Sequence, residues 1–409
     1  VYATARAQLE GVVLPFWLQH GVDHTAGGFL TCFDNRGRTL VSTDKFTWSQ
    51  GRFVWLLARA ARLAAAGRLE LDAAELTRYA VRGAEFLLDH AIRPDGRCHF
   101  VLDRKGSPTA GPSGEDHSVY ADCFVVMGLA ELARRTGTPD WLDPVEPVLS
   151  TAAESIAAGT AATPPYAVPA GFTAFGPRMI LLNTLLEWVR AKQALGVADP
   201  GEMDRLRQAR DTMLDHRQPD GTFREMIPDT NDDGSLLARH RVPGHALEGV
   251  WVALETCELL DDRAPVPALL ASVGALAAAA WDPDYGGLVR YADRSGPVEP
   301  RGWGGDTPYE TLVRRTWSTK LWWVHTEAAY TTALAARRYG DAEAASWADR
   351  IWAYTLSTFP AGADGEEWIQ IRDRAGLPLD EVVALPVKDP FHIARNLMQI
   401  VELDDSVPG

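Results

Sequence analysis

The sequence predicts an all-α fold: twelve helices paired as six antiparallel hairpins in a closed ring. Three observations predict it. Apolar residues recur at helical spacing in twelve runs, near 3–20, 45–66, 71–90, 115–135, 143–158, 177–195, 199–215, 243–260, 264–280, 317–338, 341–358 and 390–403. The connections alternate, short after each even-numbered run and long after each odd-numbered one. The even-numbered runs are also the more aromatic and apolar, as at 46–55 and 317–323, which suits the inside of a ring.

The short connections make neighbouring helices antiparallel, and several end at a glycine suited to a helix C-terminus: Gly67, Gly137, Gly196 and Gly340. All long connections then emerge on one face, at the N-terminal ends of the inner helices. An open superhelix of helical pairs is the alternative; the apolar inner runs favour closure. The chain reads as one domain, 1–409.

A turn signature recurs in the long connections: Asp34-Asn35-Arg36-Gly37, Asp103-Arg104-Lys105-Gly106, Asn231-Asp232-Asp233-Gly234, Asp293-Arg294-Ser295-Gly296 and Asp373-Arg374-Ala375-Gly376. Each follows a short alternating stretch, such as Thr222-Phe223-Arg224-Glu225-Met226. Asp or Asn early and Gly late suits a type I turn closing a β-hairpin, so each is expected to close one. Glycine pairs such as Gly27-Gly28 and Gly286-Gly287 lead into most of them. The connection at 159–175 lacks the signature, carries Pro164-Pro165 and is expected to be irregular.

Composition narrows the function. The 409 residues carry a formal net charge of −15 and are 46 % hydrophobic. No Lys/Arg cluster with interleaved aromatics is present, so a nucleic-acid surface is not expected. Residues 268–281, the longest apolar stretch, are too few to span a bilayer. The start lacks a basic region followed by an apolar core, and Cys32, Cys98, Cys123 and Cys257 have no metal-type spacing. A cytoplasmic protein with reduced thiols and no membrane partner is expected, as a monomer or homodimer.

Two histidines share one setting. Pro243-Gly244-His245 opens the eighth run and Pro390-Phe391-His392 the twelfth. Proline favours the first helical position, and Asp389 suits the N-cap before Pro390. Each imidazole then falls near the third position, where the positive end of the helix dipole disfavours a second positive charge. Both are expected to be neutral and able to accept a proton.

In a ring, the starts of the inner helices converge on one pocket. They bring Trp48 and Arg52, Tyr120 and Asp122, Asn183, His245 and Glu248, Trp322, Trp323 and His325, then His392 and Arg395. A polar cluster in an aromatic cavity is the profile of a small-molecule site, and the fourteen tryptophans suit a sugar's C–H faces. Trp55, Trp188 and Trp352 read as core, and His20, His90, His216 and His240 as structural. Arg52 is costly to bury without a partner, so it pairs with Asp122 or Glu248, faces substrate oxygens, or both. Glu248 shares a helical face with His245, and Arg395 with His392. No HExxH or paired ExxH pattern supplies a metal site, and no Gly-rich phosphate loop appears; no metal or cofactor is expected.

These residues carry a resemblance. Trp48-Ser49-Gln50-Gly51-Arg52, Pro243-Gly244-His245-Ala246-Leu247-Glu248, Lys320-Leu321-Trp322-Trp323-Val324-His325-Thr326-Glu327-Ala328 and Phe391-His392-Ile393-Ala394-Arg395 resemble the N-acylglucosamine 2-epimerase family, nearly end to end and in order. Asp23 through Phe29 and Glu367-Trp368 resemble family segments too. The resemblance implies an (α/α)6 barrel and histidine acid–base catalysis without a metal. It makes His245 and His392 the catalytic pair, with Arg52, Glu248 and Trp368 at the sugar site. Asn183-Thr184 stands where the isomerase and cellobiose epimerase branches carry another histidine, and with the Lys-Leu-Trp-Trp-x-His segment looks closer to the N-acylglucosamine epimerases. Thr316 stands where those enzymes usually carry a glutamate.

The expected chemistry is proton transfer at C2 of an open-chain sugar through an enediolate, with Arg52 or another donor on the developing oxyanion. Return of the proton to the opposite face of C2 gives an epimer; delivery to C1 gives a ketose, as in a mannose–fructose isomerase. A glycoside hydrolase on the same barrel is the alternative of another class. It would need two carboxylates, for which Asp122 and Glu248 are the nominees. A non-catalytic binding protein is a third class.

Overall fold

The protein was analysed as a computed structural model that describes residues 1–112, 114–304, 307–361, 366–382 and 385–404. Among the described residues, twelve long helices alternate between an inner and an outer layer. Helix α1 runs from Tyr2–Gln8 through a π turn, Leu9–Val13, into Leu14–His20. Pro15 has no N–H to return to the carbonyl four residues back, and the ladder widens just ahead of it. The others are α2 Thr47–Ala65, α3 Ala73–His90, α4 Val119–Thr136, α5 Glu146–Ala157, α6 Phe175–Ala194, α7 Pro200–Leu214, α8 Pro243–Leu259, α9 Val266–Ala280, α10 Trp322–Tyr339, α11 Ala342–Thr358 and α12 Phe391–Glu402.

The even helices touch in the order α2, α4, α6, α8, α10, α12, and α12 returns to α2. The ring is closed. Each outer helix packs on the inner helix before it, and α1 fills the remaining place against α12. Burial follows the layers: α4 is buried almost all round, whereas α7 buries one stripe, Glu202, Leu206, Arg210 and Met213. Where α2 crosses α4, glycine is required on both sides. A Cβ on Gly51 would lie 2.4 Å from the Phe124 carbonyl oxygen, and one on Gly128 would lie 2.6 Å from that of Gly51. Among the described residues, no helix is long and apolar enough to cross a membrane. The four cysteines are buried and free.

Most strands join one long loop to the next. Strand β1 (Lys45–Phe46) pairs with β2 (Val101–Leu102), β4 (Phe172–Ala174) with β5 (Met226–Pro228), β6 (His240–Arg241) with β7 (Ala292–Asp293), and β8 (Lys320–Leu321) with β9 (Ile371–Arg372), all antiparallel. The extended residues before α10 explain why that helix starts at Trp322 and not near 317. Pairing with β9 holds Lys320 and Leu321 straight, and a separate short helix, Pro308–Thr316, precedes them.

The turn signatures behave as expected at four of five places. The N–H of Gly37, Gly106, Gly296 or Gly376 donates to the carbonyl of the Asp three residues earlier, and β2 continues through such a turn into β3 (Pro108–Thr109). The fifth expectation fails. The strand before Asn231 pairs back with β4, and Asp232 instead accepts the N–H groups of Gly234 and Ser235 at the entry to the short helix Leu236–Arg239. The connection at 159–175 contains a cis Pro164–Pro165 bond.

The arginine in two of these turns has a further task. Asp23 accepts from buried Lys45 at 3.3 Å and from Arg104 at 2.9 Å; Asp282 accepts from buried Lys320 at 3.1 Å and from Arg374 at 2.8 Å. Each aspartate joins the loop after an outer helix, the strand before an inner helix, and a turn in the following long loop. Burial depresses the Lys320 ammonium to about 8 although Asp282 supports its charge. Asp282→Asn leaves that lysine buried without a countercharge. It is expected to cost about 3–5 kcal/mol of unfolding free energy, read by urea titration. A loss within about 0.5 kcal/mol would show that the clamp carries no stability.

Candidate active site

The mouth of the ring holds a two-part cavity. The inner chamber, ≈ 270 Å³, is lined by Trp48 and Arg52 of α2, Tyr120 and Phe124 of α4, His245 and Glu248 of α8, Trp322 and Trp323 of α10, and His392 of α12, with Arg290 and Asp389 from loops. An outer chamber of ≈ 320 Å³ continues from it between Pro164, Pro165, Tyr166, Tyr291, Tyr309 and Leu312. The irregular 159–175 connection thus forms part of the entrance.

Pro243 is the first residue of α8, and His245 is the third. Its Nδ1–H donates to the carboxylate of Glu225, 3.1 Å from Oε1 and 3.2 Å from Oε2, which leaves Nε2 for the chamber. Burial opposes a charge on His245. Glu225 opposes burial, with help from Glu248, and the net shift is upward from the ordinary histidine value. The side chain is 33 % exposed, so water reaches it.

His392 is held the same way and titrates in the opposite direction. Its Nδ1–H donates to Glu327 Oε1 at 2.7 Å. Burial, then the positive charge of Arg52, pushes it down to about 3. The expected shift towards the neutral form therefore agrees with the direction at His392 and not at His245, where a buried carboxylate raises the proton affinity. His392 is also the second residue of its helix, not the third. Pro390 stands at the cap, and Asp389 Oδ1 accepts the Phe391 N–H from one residue further out, at 3.2 Å. The indole of Trp323 packs against both imidazoles, with ring centres 5.2 Å from His245 and 5.8 Å from His392.

Arg52 pairs with neither Asp122 nor Glu248. Its Nη1 lies 3.3 Å from Asp389 Oδ2, and its guanidinium rests 4.1 Å from the centre of the Phe124 ring and 4.6 Å from that of Trp48. Glu248 binds Arg395 instead. Arg395 Nη2 donates to Glu248 Oε1 and to Glu327 Oε1, each at 2.6 Å, and is fully buried behind the chamber. Glu248, Glu327 and His392 place ligand-type atoms within 4.8 Å of one another. The Arg395 guanidinium already bridges the two carboxylates, so this cluster carries its own cation.

The family is decided by the match to this chain. The N-acylglucosamine 2-epimerase (GlcNAc 2-epimerase) family pattern matches residues 28–395, which include both histidines and their glutamates. The chain belongs to the N-acylglucosamine 2-epimerase family. The N-acylglucosamine 2-epimerase of Rattus norvegicus is 29 % identical over 407 residues, covering 94 % of this chain and 87 % of its own. Among solved structures, the cellobiose 2-epimerase of Bacillus thermoamylovorans B4167 superposes with a TM-score of 0.78 at 18 % identity, covering 98 % of each chain. A D-mannose isomerase does so with 0.70 at 18 % identity, again over 98 % of each chain. These two likenesses establish the (α/α)6 barrel.

Within this epimerase-family barrel, five residues expected at the sugar site stand elsewhere, the first being Arg395, buried behind the chamber. Asp122 accepts the Cys98 N–H at 2.7 Å and the His117 Nε2–H at 3.1 Å, pinning a loop on the outer side of α4. Asn183 is buried in α6 outside the cavity lining. His325 accepts the Leu288 N–H at 2.9 Å through Nε2 and donates through Nδ1 to the Leu321 carbonyl at 2.7 Å; burial takes it down to about 3. Trp368 is fully buried and donates to Gln8 Oε1 at 2.9 Å. Asp122 and His325 follow one rule: a polar group near an inner helix start can fasten a loop instead of facing the chamber. The expected structural role of His216 and His240 agrees with their backbone bonds, to Arg224 and Leu237 carbonyls, each at 2.8 Å.

Sequence reasoning missed Glu225, Glu327 and the second role of Asp389. A signal existed for two of them. Glu225 interrupts the alternation of 222–226, and Glu327 sits inside the apolar run of α10, where a buried acid demands a partner.

Proposed function

We propose that the protein is a sugar 2-epimerase that moves the C2 proton of an open-chain monosaccharide, with N-acylglucosamine and N-acylmannosamine as its substrate pair. One observation carries the chemistry: two imidazoles packed against Trp323, each fixed through Nδ1 by a buried glutamate, with their proton affinities shifted in opposite directions. Paired groups with separated affinities divide into a base and an acid. His392, neutral, removes the C2 proton through Nε2. Arg52 stabilises the charge that develops on the neighbouring oxygen. His245, whose proton affinity is raised, returns a proton to the other face. The substrate pair rests on the names of the relatives that the chain resembles, and the aromatic outer chamber has room for an acyl group.

The hydrolytic alternative loses its carboxylate pair, since Asp122 fastens a loop and Glu248 is held by Arg395. The test is product analysis. N-acetylglucosamine, N-acetylmannosamine, mannose, glucose and fructose are each incubated with the protein and followed by NMR. Interconversion of the two N-acetyl sugars is expected. A ketose as the main product would make the protein an isomerase, and no conversion of any sugar would reject the proposal.

The charged acid predicts a pH profile. A group whose affinity is raised keeps its proton below its folded pKa and loses it as pH rises through that value, so His245 sets an alkaline limb in kcat/KM. Glu225 is the larger of the two carboxylates that raise it. Glu225→Gln is therefore expected to move that limb to lower pH, with the acid side unchanged. A limb that stays in place would remove His245 from the role of acid.

A further inference from the structure

Asp389 lines the inner chamber and carries a buried carboxylate oxygen without a protein hydrogen-bond donor. Its backbone is pinned on both sides: the N–H donates to Gln370 Oε1 at 3.0 Å, and the carbonyl accepts from Gln370 Nε2 at 2.9 Å. Oδ1 caps α12. Oδ2 is buried and ion-paired with Arg52 Nη1 at 3.3 Å but has no donor in hydrogen-bond geometry, and His392 Nε2 stands 3.9 Å away. A buried carboxylate oxygen left in this state is costly unless a ligand supplies the donor. The donor must sit beside both the atom that takes the C2 proton and the guanidinium that steadies the adjacent oxygen. On a sugar placed with C2 at His392 and O1 at Arg52, that donor is the O1 hydroxyl.

We infer that Asp389 is a further catalytic residue, the base that opens the cyclic sugar before C2 is touched. This rests on the proton-transfer reading of the same chamber. The O1–H bond breaks and its proton passes to Asp389 Oδ2. The electron pair left on O1 forms the C1=O double bond. The C1–O5 bond breaks with its pair going to O5, which takes a proton from His245. His245 recovers a proton from water, to which its side chain is open.

Ring opening and C2 exchange are separable by NMR. A freshly dissolved single anomer of N-acetylglucosamine is followed in deuterated water, reading both anomer interconversion and deuterium at C2. Wild type is expected to accelerate both. His392→Asn is expected to keep the anomer reaction and lose C2 exchange. Asp389→Asn, which retains a capping oxygen but cannot take the proton at neutral pH, is expected to lose about 10²-fold or more in both. Asp389→Ser, also able to cap, provides the same comparison should the asparagine variant not fold. Anomer interconversion at the wild-type rate in a folded Asp389 variant, or none above background in wild type, would overturn the inference. If wild type speeds anomer interconversion but never exchanges C2, Asp389 keeps its role and the epimerase reading fails alone.

Discussion

Replacing His392 by asparagine is expected to slow C2 proton transfer by about 10²–10⁴-fold, with little change in KM, because a general base contributes about that much. The asparagine amide can still reach Glu327, which now accepts at Oε1 from His392, Arg395 and Asn396, so the surrounding packing is kept. The depressed affinity of His392, about 3, sharpens the prediction. With its affinity lowered to about 3 the imidazole is neutral through the ordinary histidine range, so wild type should show no loss of base on the acid side there. An acid limb in kcat/KM near that range, absent from the asparagine variant's residual activity, would show that His392 titrates there and that the reading of its environment is wrong. The same depression is unfavourable for stability in acid. The unfolded histidine takes a proton as pH falls below its ordinary value and the folded one does not, so its share of stability falls from there towards pH 3.

The second large effect is on folding. Arg395 is fully buried, and its Nη2 holds both Glu248 and Glu327. Its guanidinium also lies 4.5 Å from the centre of the Phe391 ring and 5.1 Å from that of Trp251. Arg395→Met keeps much of the volume and removes the charge, leaving two buried carboxylates side by side. Breaking a buried ion pair from one side costs about 3–5 kcal/mol, a large part of the roughly 5–15 kcal/mol that holds a domain. Urea unfolding should show that loss. Adding Glu248→Gln should return part of it, because the double variant has one uncompensated carboxylate fewer. A loss below about 1 kcal/mol, or no recovery in the double variant, would mean that the carboxylates are satisfied without Arg395.

Helical periodicity and alternating connection lengths were enough to read the ring, because a 3.6-residue repeat and a short loop are local properties. Which loop segments pair was not local. The 222–226 stretch reads as one arm of a hairpin closed at 231–234, yet its continuation pairs with Phe172–Ala174 of the preceding loop. The site was legible to the same depth. His245 and His392 announce themselves through a proline at a helix start, and Arg52 through its place in an aromatic helix. Their charge states were not legible, since those depend on burial and on groups distant in sequence: Glu225, 20 residues from His245, and Arg52, on another inner helix from His392. Asp122, His325 and Trp368 occupy similar positions to true lining residues. Only their partners reveal that Asp122 and His325 hold loops, at Cys98 and Leu288, and that Trp368 is tied to Gln8 of α1.

The central claim is that two imidazoles serve opposite faces of one carbon. It is tested most directly by the first turnovers of N-acetylmannosamine in deuterated water, read by NMR before products accumulate. Two bases predict product N-acetylglucosamine carrying deuterium at C2, while unreacted substrate keeps its hydrogen. Product that retains the substrate's own hydrogen at C2, or a ketose that carries it at C1, would mean one shuttling base and would contradict the account.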